Sequence, residues 1–220
     1  MKRRFLRTLI LLLAGGWLIV VAGGLRGLAR YEARAGPGTA AKPGDDIAWP
    51  AGCAVVRDPA LPTLIMFVHP MCPCSRASRG ELARVMGRCA GRVRVKVVAV
   101  QPAGAPDDWG NSDLIENFRG IPGVNLLLDR GGQEARRFGA RTSGQVNLYD
   151  PAGRLLFSGG ITASRGHEGD NAGSDAVVSL VLGTGSGHQV AGGKSTPVYG
   201  CSLLDEPSSM SPALSGADLK

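Results

Sequence analysis

Between Thr63 and Val100 the sequence moves from an apolar run, through a cysteine–proline–cysteine step, into a helical pattern and out to a second apolar run. Thr63 to His69 (TLIMFVH), bounded by Pro62 and Pro70, is apolar on both alternating phases, as expected for a strand buried on two faces. After Cys74, the residues Leu82, Val85, Met86 and Cys89 recur at i, i+3, i+4 and i+7, which is one face of an α-helix. Arg76, Arg79, Arg84 and Arg88 fall largely elsewhere, and Gly91 is well placed to end the helix. Val93 to Val100 (VRVKVVAV) alternates and then becomes fully apolar, reading as a second buried strand. Strand, helix and strand with short joints form a βαβ unit, whose strands should be parallel with a right-handed crossover. The fold class is therefore α/β.

The remaining pattern extends this unit. A helix is expected from Asn111 to Phe118, capped by Asn111 or Ser112. A strand is expected over Val124 to Leu128, and a short helix over Gln133 to Phe138, closed by Gly139. Gln145 to Tyr149 and Arg154 to Ser158 form a hairpin around Asp150-Pro-Ala-Gly153. Asp175 to Leu182 is a last helix, and from Gly183 to Lys220 the chain is Gly/Ser/Pro-rich apart from the patch TPVYGCSLL.

The net charge of +7 is local. Residues 1–35 carry seven basic side chains against Glu32 alone, whereas residues 36–220 carry 18 basic and 17 acidic ones. Charge count therefore gives no support for a nucleic-acid face on the folded domain. From Leu9 to Leu25 the chain runs 17 residues without a charge, at the lower end of membrane-spanning length. The reading is an uncleaved N-terminal membrane anchor. A cleaved signal peptide competes less well, because its best small-residue site, Ala33-Arg34-Ala35, lies far from the apolar run. A buried core helix is the third reading. The four basic residues before the span favour a cytoplasmic N-terminus and a single pass across the cell inner membrane. The domain would then face the periplasm, where disulfides persist. The expected layout is an anchor over 1–35, a linker over 36–49, a domain over 50–183, and a flexible tail over 184–220 with a docking patch around Cys201.

This order of elements, with cysteines just after the first strand of the βαβ unit, resembles thioredoxin. The stretch from Asp129 to Thr162, with Phe138-Gly139-Ala140 and Tyr149-Asp150-Pro151-x-Gly153, resembles membrane-tethered thioredoxin-like reductases of the TlpA/ResA kind. HPMCPCSRAS, the loop SRGHEGDNAG and the late Thr196-Pro-Val-x-Gly-Cys201 resemble small bacterial proteins labelled RedB. The resemblance implies a thioredoxin-like fold, a mixed sheet flanked by helices, and thiol–disulfide exchange with a protein partner, needing no cofactor. Two departures stand out. Cys72 takes the place of the nucleophilic cysteine, but Ser75 stands where the second is expected and Cys74 comes one residue early. The cis-proline that precedes the hairpin in the family is replaced by Gly144, so the substrate-binding edge, expected at Gly144 and Gln145, is altered.

The chemistry needs a thiolate, and a free thiol with a pKa near ~8.5 is mostly protonated at neutral pH. Unpaired N–H groups at the helix start, with Arg76 and Arg79 close by, favour the Cys72 anion. Cys74 would resolve, closing a ring smaller than that of Cys-x-x-Cys and hence strained, which would make the couple oxidising. The alternative is a binding protein. His69, Met71, Cys72 and Cys74 offer soft ligands for copper or zinc, with His167 as a further candidate, although His69 also reads as a capping or packing histidine. The hairpin's second strand should end beside the motif, so the loop from Ile161 to Ala172, with Arg165, His167, Glu168, Asp170 and Asn171, should overhang Cys72. His167 is thus a candidate catalytic, proton-transferring residue, against the plainer reading of a solvated loop. Cys89 reads as a buried core thiol and His188 as linker. Cys201 could act as an accessory thiol paired with Cys72 or Cys74, pair with Cys53, or stay free.

Overall fold

The computed structural model describes residues 2–37, 48–89, 91–183 and 194–204. Two compact units are present, residues 1–34 and 35–220. The first is a single helix, α1 (Lys2–Glu32), long and apolar enough to cross a membrane.

The second unit is built on one sheet. Its strands are β1 (Thr63–Val68), β2 (Arg94–Gln101), β3 (Val124–Arg130), β4 (Gln145–Tyr149), β5 (Leu155–Gly160) and β6 (Lys194–Ser195), in the order β3-β2-β1-β4-β5-β6. The helices are α2 (Ser75–Cys89), α3 (Asp113–Arg119), α4 (Gln133–Arg137) and α5 (Ala172–Leu182). The βαβ expectation holds: β1 pairs parallel with β2, and Thr63 lies opposite Arg94. β2 pairs parallel with β3, while β4 pairs antiparallel with β1 and β5. A central β1 flanked by one parallel and one antiparallel neighbour, with helices on both faces, is the thioredoxin-like arrangement.

Both phases of β1 are apolar because both are buried. Leu64, Met66 and Val68 face a core completed by Leu82 and Val85 of α2, Ile115 and Phe118 of α3, and Val177 of α5. Ile65 and Phe67 face the other core, with Phe138, Tyr149 and Val55. The expected phase of α2 is therefore the observed one. Ser112 caps α3, accepting from Ile115 N–H at 3.4 Å. α5 begins at Ala172, earlier than Asp175, because Asn171 caps it and accepts from Ser174 N–H at 2.8 Å.

The patch around Cys201 is docked on the domain, as expected, and the docked part begins at Lys194: β6 pairs parallel with β5, and Val198 and Leu203 are buried. Gly159 and Gly160 make this possible, since a Cβ on either would collide with Thr196, Pro197 or Val198. Thr196 Oγ1 donates to Gly160 O at 2.7 Å, and Gly36 N–H donates to Val198 O at 2.8 Å. Of the linker expected over 36–49, residues 38–47 lie outside the described residues, as do residues 184–193, with His188, and 205–220 of the tail expected to be flexible.

Candidate active site

β1 ends at Val68, and the chain turns through Pro70 before α2 begins at Ser75. Cys72 N–H donates to His69 O at 3.0 Å, and Cys72 O accepts from Ser75 N–H at 3.1 Å. This turn folds the Cys72 side chain inward, to 1% exposure, just before the first turn of α2. That turn carries no acidic residue, so its unpaired N–H groups keep their positive end.

Burial by itself would push the Cys72 thiol up. The donors around it win, and its pKa falls to about 4. The largest cause is the Cys201 thiol, followed by the Cys201 N–H, the Ser75 hydroxyl and the Cys74 N–H. The sulfurs of Cys72 and Cys201 are hydrogen bonded at 3.1 Å, and the proton rests on Cys201, whose pKa is raised above the ordinary thiol value chiefly by that same bond. Ser75 is backed in turn. His69 N–H donates to Ser143 Oγ at 2.8 Å, and Ser143 Oγ lies 2.7 Å from Ser75 Oγ. With Ser75 giving its proton to the thiolate, the Ser143 hydroxyl must donate to Ser75. Ser75 thus occupies the expected place of a second cysteine and acts as a hydrogen-bond donor to the first.

Cys74 is half-buried. Burial raises its pKa first and the Cys72 charge next, while the Arg165 guanidinium hydrogen-bonds it and pulls the other way. Arg165 comes from the loop after β5, so that loop does reach the cysteines. The loop is tied down by Glu81 of α2, a buried carboxylate that accepts from Gly169 N–H at 2.7 Å, Asn171 Nδ2 at 3.2 Å and Ser174 Oγ at 3.2 Å. His167 is exposed on this loop, with its N–H directed to Ser164 O at 3.4 Å.

At Gly144 and Gln145, where a substrate-binding edge is expected, the polar groups are paired within the domain. Gly144 has φ +91°, in the left-handed region that suits glycine, and its N–H donates to Phe67 O at 2.8 Å. Gln145 is fully buried; its side chain accepts from Arg141 N–H at 3.2 Å and donates to Asn147 Oδ1 at 3.3 Å. Neither side chain nor N–H is left for a substrate. The backbone that reaches outward is Arg141–Ser143, and the tail occupies it: Ser143 N–H donates to Cys201 O at 2.8 Å and Leu203 N–H to Arg141 O at 2.9 Å. A cavity of about 210 Å³ opens on the other side of Cys72, lined by exposed Met71 with Arg76, Asp113 and Leu114.

For a metal, His69 is buried, its Nδ1 accepts from Met71 N–H at 3.2 Å, and its ring packs edge-on against Trp109. Among the described residues no group of three or more His, Cys, Asp or Glu side chains is arranged to hold a metal ion. Cys89 is fully buried, and Cys53 accepts from Trp49 Nε1 at 3.0 Å. Cys53 therefore stands apart from the Cys72–Cys201 pair. Sequence reasoning places Arg165 in the loop over Cys72 and Ser75 in the place of a second cysteine, but gives Ser143 no part in the thiol site.

The chain matches no protein-family model and no curated protein. Among solved structures it is similar to a hypothetical protein from Sinorhizobium meliloti 1021, at 20% identity and TM-score 0.56, covering 76% of this chain and 97% of that one. It is also similar to an uncharacterized conserved protein from Geobacillus kaustophilus, at 20% identity and TM-score 0.54, covering 80% and 94%. A secreted Mycobacterium tuberculosis disulfide oxidoreductase is a more distant likeness, at 15% identity and TM-score 0.40, covering 56% and 81%. The strand order is that of a thioredoxin-like α/β domain, and the apolar helix α1 precedes it in the sequence.

Proposed function

We propose that this chain is a thiol–disulfide oxidoreductase of the TlpA/ResA or RedB kind, tethered to the inner membrane by α1 with its domain in the periplasm. Cys72 is the nucleophile, within Cys72-Pro73-Cys74. The observation that carries this reading is the set of donors converging on a buried Cys72 sulfur, which holds it as the attacking thiolate at neutral pH. The charge-free run of α1 after four basic residues supports the tether.

The test uses the full-length, reduced protein in detergent with a small aromatic disulfide as the probe. Exchange should begin as a mixed disulfide on Cys72, identified by mass, and should be lost in Cys72→Ser. Undiminished exchange in Cys72→Ser would overturn the reading. A reporter that is active only outside the cytoplasm, fused after Lys220, should be active in cells, and its silence would overturn the topology.

A further inference from the structure

We infer that Cys201 is the resolving cysteine: the tail strand presents it to Cys72 so that a Cys72–Cys201 disulfide, and not Cys72–Cys74, is the oxidised form of the site. This rests on Cys72 being the nucleophile, as proposed above.

Three observations carry it. The first is proximity, with the two sulfurs 3.1 Å apart although the residues are 129 positions apart in sequence. The second is register. Ser143 and Cys201, and Arg141 and Leu203, are joined by backbone hydrogen bonds around an antiparallel Thr142–Ser202 bridge. In an antiparallel pairing a slip of one residue would turn Cys201 away from Cys72. Gly200 lies against the Ser143 carbonyl so closely that any Cβ there would collide with it, so the chain can lie this close only with glycine before Cys201. The third is anchorage on both sides. Val198 before Cys201 and Leu203 after it are buried, so the thiol is delivered by a docked strand and not by a free end. Cys74 also hydrogen-bonds Cys72, but its thiol is shared with the Arg165 guanidinium, and a Cys72–Cys74 bond would have to close a short ring through Pro73.

The chemistry balances without a cofactor. The Cys72 thiolate attacks one sulfur of a client protein disulfide; a Cys72–client disulfide forms and the other client sulfur leaves as a thiolate. That thiolate takes the Cys201 proton. The Cys201 thiolate then attacks Cys72 Sγ, the Cys72–Cys201 bond forms, and the second client sulfur leaves as a thiolate. The client disulfide is reduced by two electrons and the Cys72/Cys201 pair is oxidised by two. An external dithiol reverses the sequence: one of its thiolates attacks a sulfur of the Cys72–Cys201 disulfide, its second thiol closes on the first, and it leaves as a disulfide with the Cys72/Cys201 pair reduced.

The experiment treats reduced full-length protein in detergent with oxidised glutathione and maps the products by mass spectrometry after proteolysis without reduction. Wild type and Cys74→Ser should both release both glutathione moieties and yield a cross-link between the Cys72 and Cys201 peptides. Cys201→Ser should retain glutathione on Cys72, with intramolecular closure slowed at least about tenfold by loss of a tethered thiol at high effective concentration. Leu203→Ala, which keeps every thiol but loosens the strand, should slow closure in the same direction. Closure in Cys201→Ser at the wild-type rate, or a Cys72–Cys74 cross-link as the main wild-type product, would overturn the assignment while leaving Cys72 as nucleophile. Failure of Cys72 to acquire glutathione in any variant would overturn both.

Discussion

Helix α2 has a buried cysteine at each end, and the two are opposites. Cys89, in the last turn, is fully buried and its thiol is pushed up by burial, with only partial relief from the Arg88 charge. Cys72, just ahead of the first turn, is equally hidden, yet its thiol is pulled down to about 4. Burial is common to both, so burial does not decide reactivity. The difference is what surrounds the sulfur. Cys89 packs among Leu64, Val85, Val93 and other core residues, whereas Cys72 receives donors from Cys201, Ser75 and the Cys74 backbone. A desolvated thiol without donors is an inert small hydrophobe, and the same thiol with several becomes a thiolate.

The sharpest break of this contrast is to remove each sulfur. Cys72→Ala should abolish disulfide exchange and also remove, at neutral pH, the stability that the folded-state thiolate contributes. Cys89→Ala should leave the exchange rate unchanged and lower stability by about 1 kcal/mol, a typical cost for a core truncation of this size. Exchange rates and denaturant midpoints check both, and an active Cys72→Ala protein would dissolve the distinction.

Loosening the tail comes next. Leu203 is fully buried against Phe138 and Tyr149, so Leu203→Ala should weaken docking by up to roughly 2–5 kcal/mol, the range for core truncations. Cys201 then withdraws its donor, and the thiolate absorbance of Cys72 should appear at higher pH than in wild type. An unmoved titration would show that the helix terminus and Ser75 hold the anion unaided.

Acid should then separate the two ends of α2. Because Cys72 has a lower pKa folded than unfolded, its contribution to stability is complete above the unfolded thiol value of ~8.5. It shrinks as pH falls and is lost through about 4. Cys72→Ser should therefore flatten part of the rise in stability between pH 4 and neutrality, while Cys89→Ser leaves that part intact. Denaturation at several pH values measures it. The smallest effect is expected of Arg165→Gln. The guanidinium lowers the Cys74 pKa, so its loss should raise that pKa further and slow alkylation of Cys74 near neutral pH. Unchanged alkylation would remove Arg165 from the site.

Local periodicity makes much of the architecture legible in the sequence. The two-phase apolar run of β1, the i, i+3, i+4, i+7 face of α2 and the Asp150–Gly153 turn each express contacts within a few residues or against a uniform core. Cys72 and Cys74 are legible for the same reason, as two thiols at a strand-to-helix joint. At Gly144 and Gln145 the sequence pattern shows where a turn falls and not which of its N–H groups are already taken: Gly144 gives its N–H to Phe67.

By itself, then, the sequence determined the βαβ unit, the apolar first helix and the position of the Cys72 thiol relative to α2, since periodicity, charge and helix polarity are properties of neighbouring residues. Tertiary structure decided which thiol faces Cys72. The Cys201 sulfur reaches it through the parallel pairing of β6 with β5, the Arg141–Ser143 edge and the buried anchors Val198 and Leu203. Those contacts join residues far apart along the chain, and no local pattern encodes them: pairing register and close backbone approach are set only when the strands meet in space.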